Sequence, residues 1–192
     1  TRNFRKEPAM TATEAWKAVY TGMDLVAEYK EKGYQILATG EMGIGNTTTS
    51  SAVIAALLRC RAEQVTGRGA GLSDAGLLKK QQVIQEAIEK YHLYEAEPFE
   101  VLRTVGGLDI AGLTGVCIGG AVYHVTHHIE CSGCFQIRIL IQIAVFSAFL
   151  DPVAARGRDT AEDKVGVVQA ESLHTFYDAL RLHGALSCYT VK

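Results

Sequence analysis

The chain has 192 residues, of which 48% are hydrophobic and 21% charged, with a formal net charge of −2 and an isoelectric point of about 6.3. This size and composition are typical of a globular domain with its own core, and the lack of a basic excess argues against a nucleic-acid partner. The apolar run 137–150 is broken by Arg138 and Gln142 and is too short to span a bilayer, so we expect no membrane partner.

The first predicted element is a helix that a capping box opens. Thr11 and Glu14 have the Thr-x-x-Glu spacing in which each side chain caps the other residue's backbone amide. Apolar residues then recur at helical spacing as far as a polar end at Gly33. They are Trp16, Val19, Tyr20, Met23, Val26 and Ala27. We interpret the aromatic side chains among them as core rather than as a ligand-binding group.

A predicted strand at residues 35–39 leads into a glycine-rich segment, residues 40–50 (GEMGIGNTTTS), and then into a helix from about Thr47 to Arg59. This order suits an anion, because glycines let the backbone approach a ligand and the free N–H groups of the helix start point at a phosphate. The alternative is a tight turn without a ligand. The segment matches neither GxGxxG nor GxxxxGK[ST], which argues against dinucleotide and ATP sites.

A second glycine segment, residues 67–71, follows a short predicted strand at residues 64–66. Ser73 or Asp74 is expected to cap the next helix. The predicted buried face of that helix consists of Leu77, Ile84, Ala87, Ile88 and Tyr91. Another helical turn is predicted to start at Pro98.

Gly106 and Gly107 lead into a helix of small residues that runs through Tyr123. The stretch 107–120 could line a pocket or pack closely against a neighbouring helix, and both alternatives stay open. The repeated order of strand, glycine loop and helix predicts an α/β fold with a mainly parallel sheet and flanking helices. In such folds ligands bind beyond the carboxyl ends of the strands, where several glycine loops would form one pocket wall.

The five cysteines predict reduced thiols. Their number is odd, and the first residues lack the pattern of a signal peptide, so we expect a cytoplasmic protein rather than a disulfide framework. His127, His128, Cys131 and Cys134 have a spacing that zinc could use. Because a structural zinc usually takes ligands from two knuckles, we predict no metal.

Four segments in a fixed order carry a specific resemblance: residues 3–11 (NFRKEPAMT), 40–48 (GEMGIGNTT), 65–72 (VTGRGAGL) and 105–115 (VGGLDIAGLTG). Together they resemble the nicotinate-nucleotide–dimethylbenzimidazole phosphoribosyltransferase family. Ala70 stands where the family usually has Thr. The resemblance covers residues 1 to about 125 and implies a Rossmann-like core.

The resemblance also implies an activity. Family members transfer phosphoribose from nicotinate mononucleotide to 5,6-dimethylbenzimidazole, which gives α-ribazole 5′-phosphate and nicotinate in cobalamin nucleotide-loop synthesis. It implies small-molecule substrates, no cofactor and a homodimer. Glu41 matches a family Glu beside the reacting ribose and is the supporting catalytic candidate, with a structural loop role as the alternative. The candidates for substrate binding are Gly43, Ile44, Gly45, Asn46, Thr47, Thr48, Gly67, Arg68, Gly69, Gly71 and Lys80. For Arg68 a surface position is an equal alternative.

Beyond about residue 125 the chain departs from the family. Residues 1–125 are predicted to form the nucleotide-binding α/β core and residues 126–192 a divergent helical part, and we expect the family's N-terminal part to be absent. The segment nearest to the family's general-base motif, residues 180–186, contains no Glu, so we place no general base. A shifted reading frame and genuine divergence are both open explanations. The alternative function is a non-catalytic phosphate- or nucleotide-binding remnant, which an assay of turnover would distinguish.

Overall fold

The computed structural model describes residues 1–40, 45–69 and 71–130, which all lie in one compact unit of the chain. Their elements, in chain order, are α1 (Ala12–Glu31), β1 (Ile36–Gly40), α2 (Thr47–Leu57), α3 (Ala62–Val65), α4 (Asp74–Lys90), α5 (Pro98–Val105), α6 (Leu108–Val122) and β2 (Thr126–Glu130). None of these described helices is both long enough and apolar enough to cross a bilayer. Residues 131–192, most of the predicted helical part, lie outside the described residues.

The predicted capping box opens α1. The Glu14 amide donates to Thr11 Oγ1 at 3.2 Å, and the Thr11 amide donates to Glu14 Oε2 at 2.7 Å. Arg2 donates to both carboxylate oxygens, at 2.7 and 3.2 Å. The hydrogen bond from Arg2 and those from Thr11 lower the pKa of Glu14 to about 2. The carboxylate therefore stays charged at the positive end of α1, where a negative charge is favourable.

The two described strands pair in parallel, with Ile36 opposite Thr126 and Gly40 opposite Glu130. Helices and parallel strands together confirm the α/β class, while the wider parallel sheet and the Rossmann-like core stay predictions. Because β1 ends at Gly40, the first glycine segment begins at the carboxyl end of a strand, where α/β folds bind their ligands.

The core confirms the predicted face of α4. Three side chains of this helix are fully buried: Ile84, Ala87 and Ile88. Leu77 and Tyr91 are half-buried. Ser73 is the N-cap, and its Oγ accepts a hydrogen bond from the Gly76 amide at 3.2 Å. Pro98 begins α5, where its missing N–H costs no helical hydrogen bond.

The helices α1 and α6 pack at close range because glycines remove side chains from their interface. A Cβ added at Gly115 would overlap the carbonyl oxygen of Val19, and one added at Gly22 would overlap the carbonyl oxygen of Gly112. Backbone thus lies against backbone along this contact. For α6 the structure supports close packing, one of the two alternatives that the sequence left open.

The strand predicted at residues 64–66 is wrong. Ala62–Val65 form the single helical turn α3 instead. Gln64 Oε1 accepts from the Arg61 amide at 3.2 Å, and the buried Thr66 hydroxyl donates to the Ala62 carbonyl at 2.6 Å. These local side-chain bonds satisfy the turn's backbone and outweigh the strand preference of two β-branched residues.

Tyr20 does not join the core, contrary to expectation. Tyr20 is 56% exposed, and its ring stacks on that of Trp16 with ring centroids 5.7 Å apart. Gly22 takes a buried position on α1 instead, where α6 approaches too closely for a side chain. The helix after the first glycine segment also ends earlier than predicted, at Leu57.

We predict that Gly115→Ala destabilises the protein by about 1–3 kcal/mol, because the new methyl group would meet a backbone atom that cannot rotate away. Gly112→Ala is the matched control in the same helix, since its Cβ would lie 4.0 Å from the Ala18 carbonyl oxygen. It should leave stability unchanged or raise it by up to about 1 kcal/mol, the helix-propensity gain of Ala over Gly. Urea denaturation followed by circular dichroism measures both, and equal effects of the two substitutions would contradict the packing account.

Candidate functional site

The candidate site lies at the start of α2. Gly45 has φ +82, which only glycine adopts readily, and it brings the chain into the first turn of the helix. The first helical hydrogen bond is donated by the Ser50 amide to the Asn46 carbonyl at 2.9 Å. The amides of Thr47 and Thr48 precede that bond in the first turn, where backbone N–H groups have no intrahelical acceptor. This end of α2 therefore has the donors and the dipole of an anion site.

Lys80 joins the second glycine segment to this helix start. Although it belongs to α4, only 8% of the residue is exposed. Its Nζ donates to Thr47 Oγ1 at 3.0 Å and to the Gly67 carbonyl at 3.1 Å. A buried ammonium group needs such partners, so these bonds hold the Gly67 backbone and the first turn of α2 together. They also place a positive charge next to the positive end of a helix.

Gly69 fits the narrow space beside α2. Its φ is +61, and a Cβ at this position would lie 2.9 Å from Thr47 Oγ1. Gly71 also has positive φ, at +92, but the space around it is open. The second glycine segment thus needs glycine at residue 69 for contact and conformation, and at residue 71 for conformation alone.

Arg68 bonds to residues between the second glycine segment and the start of α4. Its Nη1 donates to the Leu72 carbonyl at 3.0 Å, and its Nη2 pairs with Asp74 at the first residue of α4. Both charged side chains of this pair are largely exposed, so the pair contributes little to stability. The arrangement favours the surface alternative for Arg68, and its role as a substrate ligand stays a prediction.

Hydroxyl groups farther along the first two turns of α2 bond back to their own helix. Thr49 Oγ1 donates to the Asn46 carbonyl and Ser51 Oγ donates to the Thr47 carbonyl, each at 2.8 Å. These groups shape the helix start rather than face a ligand. Thr48, a predicted phosphate ligand, is half-buried in the same turn.

The third glycine segment, residues 105–115, reaches the site through Asp109, which was not among the predicted site residues. Asn46 Nδ2 donates to Asp109 Oδ2 at 3.0 Å, which links the N-termini of α2 and α6. The position of Asp109 two residues after Gly107, in a segment that resembles the family, was the available signal. Three of the candidates, Glu41, Gly43 and Ile44, lie outside the described residues.

The described residues offer little for metal or thiol chemistry. Among the side chains that the structure describes, those of residues 1–39, 45–69 and 71–126, no group of three or more His, Cys, Asp or Glu could hold a metal ion. Cys60 and Cys117 are present as thiols, and burial raises the pKa of Cys117 to about 11. Cys117 is therefore protonated at neutral pH and is a poor nucleophile. Cys131 and Cys134 of the zinc-like spacing lie outside the described part of the chain.

Comparisons with known proteins agree on one family. A family model described as phosphoribosyltransferase matches residues 1–129. The nicotinate-nucleotide–dimethylbenzimidazole phosphoribosyltransferase of Clostridium perfringens is 46% identical over 125 residues, which are 65% of this chain and 35% of that protein. The enzyme of the same name from Acetivibrio thermocellus is 50% identical over 121 residues, 63% of this chain and 34% of that protein. The chain thus spans about a third of the length of the curated relatives it matches.

A solved structure shows the same relationship. The crystal structure of CobT from Thermus thermophilus superimposes with a TM-score of 0.68 at 32% sequence identity. The match covers 79% of this chain and 45% of that one. The similarity therefore extends from sequence to fold.

We predict that Gly69→Ala lowers the free energy of unfolding by about 1–2 kcal/mol, since a methyl group there meets both the positive φ and the Thr47 hydroxyl. Gly67→Ala is the matched control: its Cβ would have no atom within 4 Å, and its φ lies outside the left-handed region. Stability should then change by less than about 0.5 kcal/mol. Urea denaturation of both variants measures the difference. A Gly69→Ala variant as stable as Gly67→Ala would show that the second glycine segment does not lie against α2.

Proposed function

We propose a function for this chain on the premise that it belongs to the nicotinate-nucleotide–dimethylbenzimidazole phosphoribosyltransferase family. Its described residues bind the phosphoribosyl donor, nicotinate mononucleotide. The observation that carries the proposal is the convergence of three glycine segments on the start of α2. Lys80 ties in the second of them and Asp109 the third. The activity proposed for the whole protein is transfer of the phosphoribosyl group to 5,6-dimethylbenzimidazole.

The 5′-phosphate would bind at the start of α2. Backbone N–H groups of a helix start, the helix dipole and a neighbouring ammonium group are all complementary to a doubly charged anion. Gly45, Asn46, Thr47 and Thr48 would supply the donors of the first turn, together with Gly43 and Ile44 of the preceding loop. Lys80 would supply the charge.

The second glycine segment would form the other wall of the nucleotide pocket. The Gly67 carbonyl is joined to the start of α2 through Lys80, and Gly69 lies against the Thr47 side chain. Gly71 would continue that wall, and Arg68 would shape it through its bonds to Leu72 and to Asp74 of α4. The proposed pocket is therefore narrow, with the backbone of α2 on one side and that of the second glycine segment on the other.

The proposed reaction depends mainly on how the protein positions its two substrates. The pyridinium ring of the donor becomes a neutral pyridine when nicotinate leaves, so its departure needs no general acid. Holding the donor and the acceptor in line can lower the activation barrier by roughly 7–11 kcal/mol. Glu41 would stabilise positive charge on the ribose as its bond to nicotinate breaks. A general base that takes the proton of the azole would add about 10²–10⁴-fold, and we assign that role to no residue of this chain.

The proposal also covers the domain that carries the site, its oligomeric state and its cofactor requirement. Residues 1–125 would be the nucleotide-binding core with the wider parallel sheet, in a cytoplasmic homodimer that needs no cofactor. Binding and turnover are separate questions here, because the chain spans about a third of the length of its curated relatives. The alternative, a phosphate-binding remnant, predicts binding without transfer.

We predict that the protein binds nicotinate mononucleotide about tenfold to a hundredfold more tightly than nicotinate riboside, which lacks only the phosphate, because charge-assisted hydrogen bonds contribute roughly 1.5–3 kcal/mol. Isothermal titration calorimetry of the folded protein with both ligands measures this difference. Equal affinity for the two ligands, or no binding of either, would contradict the phosphate site. Formation of α-ribazole 5′-phosphate after addition of 5,6-dimethylbenzimidazole then separates the enzyme from the remnant.

A further inference from the structure

The hydrogen bond between Asn46 and Asp109 joins two helix starts that are 63 residues apart in the chain. Asn46 is the N-cap residue of α2, yet its side chain donates to the carboxylate of Asp109, the second residue of α6. A primary amide has two N–H donors in one plane, so a bond from one of them fixes the direction of the other. The orientation of the Asn46 side chain is thus tied to Asp109.

Gly107 leaves room for the carboxylate in this position. A Cβ on Gly107 would overlap Oδ1 of Asp109, although its extended φ of −145 is open to any residue. Glycine therefore leaves space for the carboxylate here, and the backbone conformation does not need it. The atom in conflict is the far end of a side chain, so an added methyl group would displace the carboxylate while leaving the backbone in place.

We propose that Asp109 is a positioning residue for donor binding, which acts by orienting the Asn46 carboxamide toward the phosphate at the start of α2. The proposal rests on the proposed function, because it assumes a phosphate at that helix start. Asp109 itself touches no phosphate in this account, since a carboxylate would repel it. Its contribution passes through the hydrogen bond that it accepts from Asn46.

Two substitutions separate orientation from charge. Asp109→Asn removes the charge but keeps an oxygen that can accept from Asn46, whereas Asp109→Ala removes both. Each variant loses the same favourable carboxylate from the first turn of α6, so a difference between them does not come from the helix dipole. Orientation predicts that Asp109→Asn binds as the wild type does or more tightly, and that Asp109→Ala binds about tenfold more weakly.

Four further variants complete the test. Asn46→Ala should weaken binding to the same degree as Asp109→Ala, and the double variant Asn46→Ala/Asp109→Ala should lose no more than either single one, because both act through one bond. Gly107→Ala should behave like Asp109→Ala, since it displaces the carboxylate. Gly112→Ala, in the same helix and with an open Cβ position, should bind as the wild type does.

The measurement is calorimetric titration of each folded variant of the full chain with nicotinate mononucleotide, accompanied by the side-chain amide resonances of Asn46 in ¹H–¹⁵N spectra of the free protein. We expect this amide pair to stay dispersed in Asp109→Asn and to move to unstructured shifts in Asp109→Ala and Gly107→Ala. The inference is overturned if Asp109→Ala binds like the wild type, if Asp109→Asn is as weak as Asp109→Ala, or if the losses of Asn46→Ala and Asp109→Ala add. A wild-type chain that does not bind the nucleotide overturns the proposed function, and this inference with it.

Discussion

The buried ammonium group of Lys80 is the interaction on which the arrangement of the site depends. A charge removed from water must be satisfied by hydrogen bonds, and here Thr47 of α2 and the carbonyl of Gly67 accept them. Because both acceptors are held by one group, the second glycine segment has to stay against the first turn of α2. Residue 69 must then be glycine, because its backbone lies against the Thr47 side chain and leaves no room for a Cβ atom.

The same arrangement makes the site electrostatically positive. The ammonium group and the N-terminus of α2 are both positive, so their proximity is unfavourable by itself and becomes favourable when an anion lies between them. A phosphate bound there would fix one end of a phosphoribosyl donor on rigid elements. The bound donor would then have little conformational freedom, and a reaction that depends on positioning requires this. Asp109 adds a further constraint by orienting Asn46 from α6.

How much of this the sequence could predict depends on the range of each interaction. The caps at Thr11 and Ser73 and the helix start at Pro98 involve residues a few positions apart, so local pattern was enough to find them. The contacts of Lys80 and of Asp109 join distant segments, and no local pattern encodes them. The exposure of Tyr20 and the helical turn at residues 62–65 were missed because tertiary packing and side-chain bonds overrode propensity. The resemblance found the glycine segments, but not how they are held together.

The most direct test of the account is the ratio of affinities for nicotinate mononucleotide and nicotinate riboside in Lys80→Met, measured by calorimetry beside Lys79→Met, whose parent residue is the exposed neighbour on α4. Methionine keeps the length and the apolar part of the side chain, so a thermal melt should still show a folded protein. The account predicts that Lys80→Met loses most of the preference for the mononucleotide over the riboside, whereas Lys79→Met keeps the wild-type preference. A Lys80→Met variant that still prefers the mononucleotide to the wild-type degree would contradict the central role of this ammonium group.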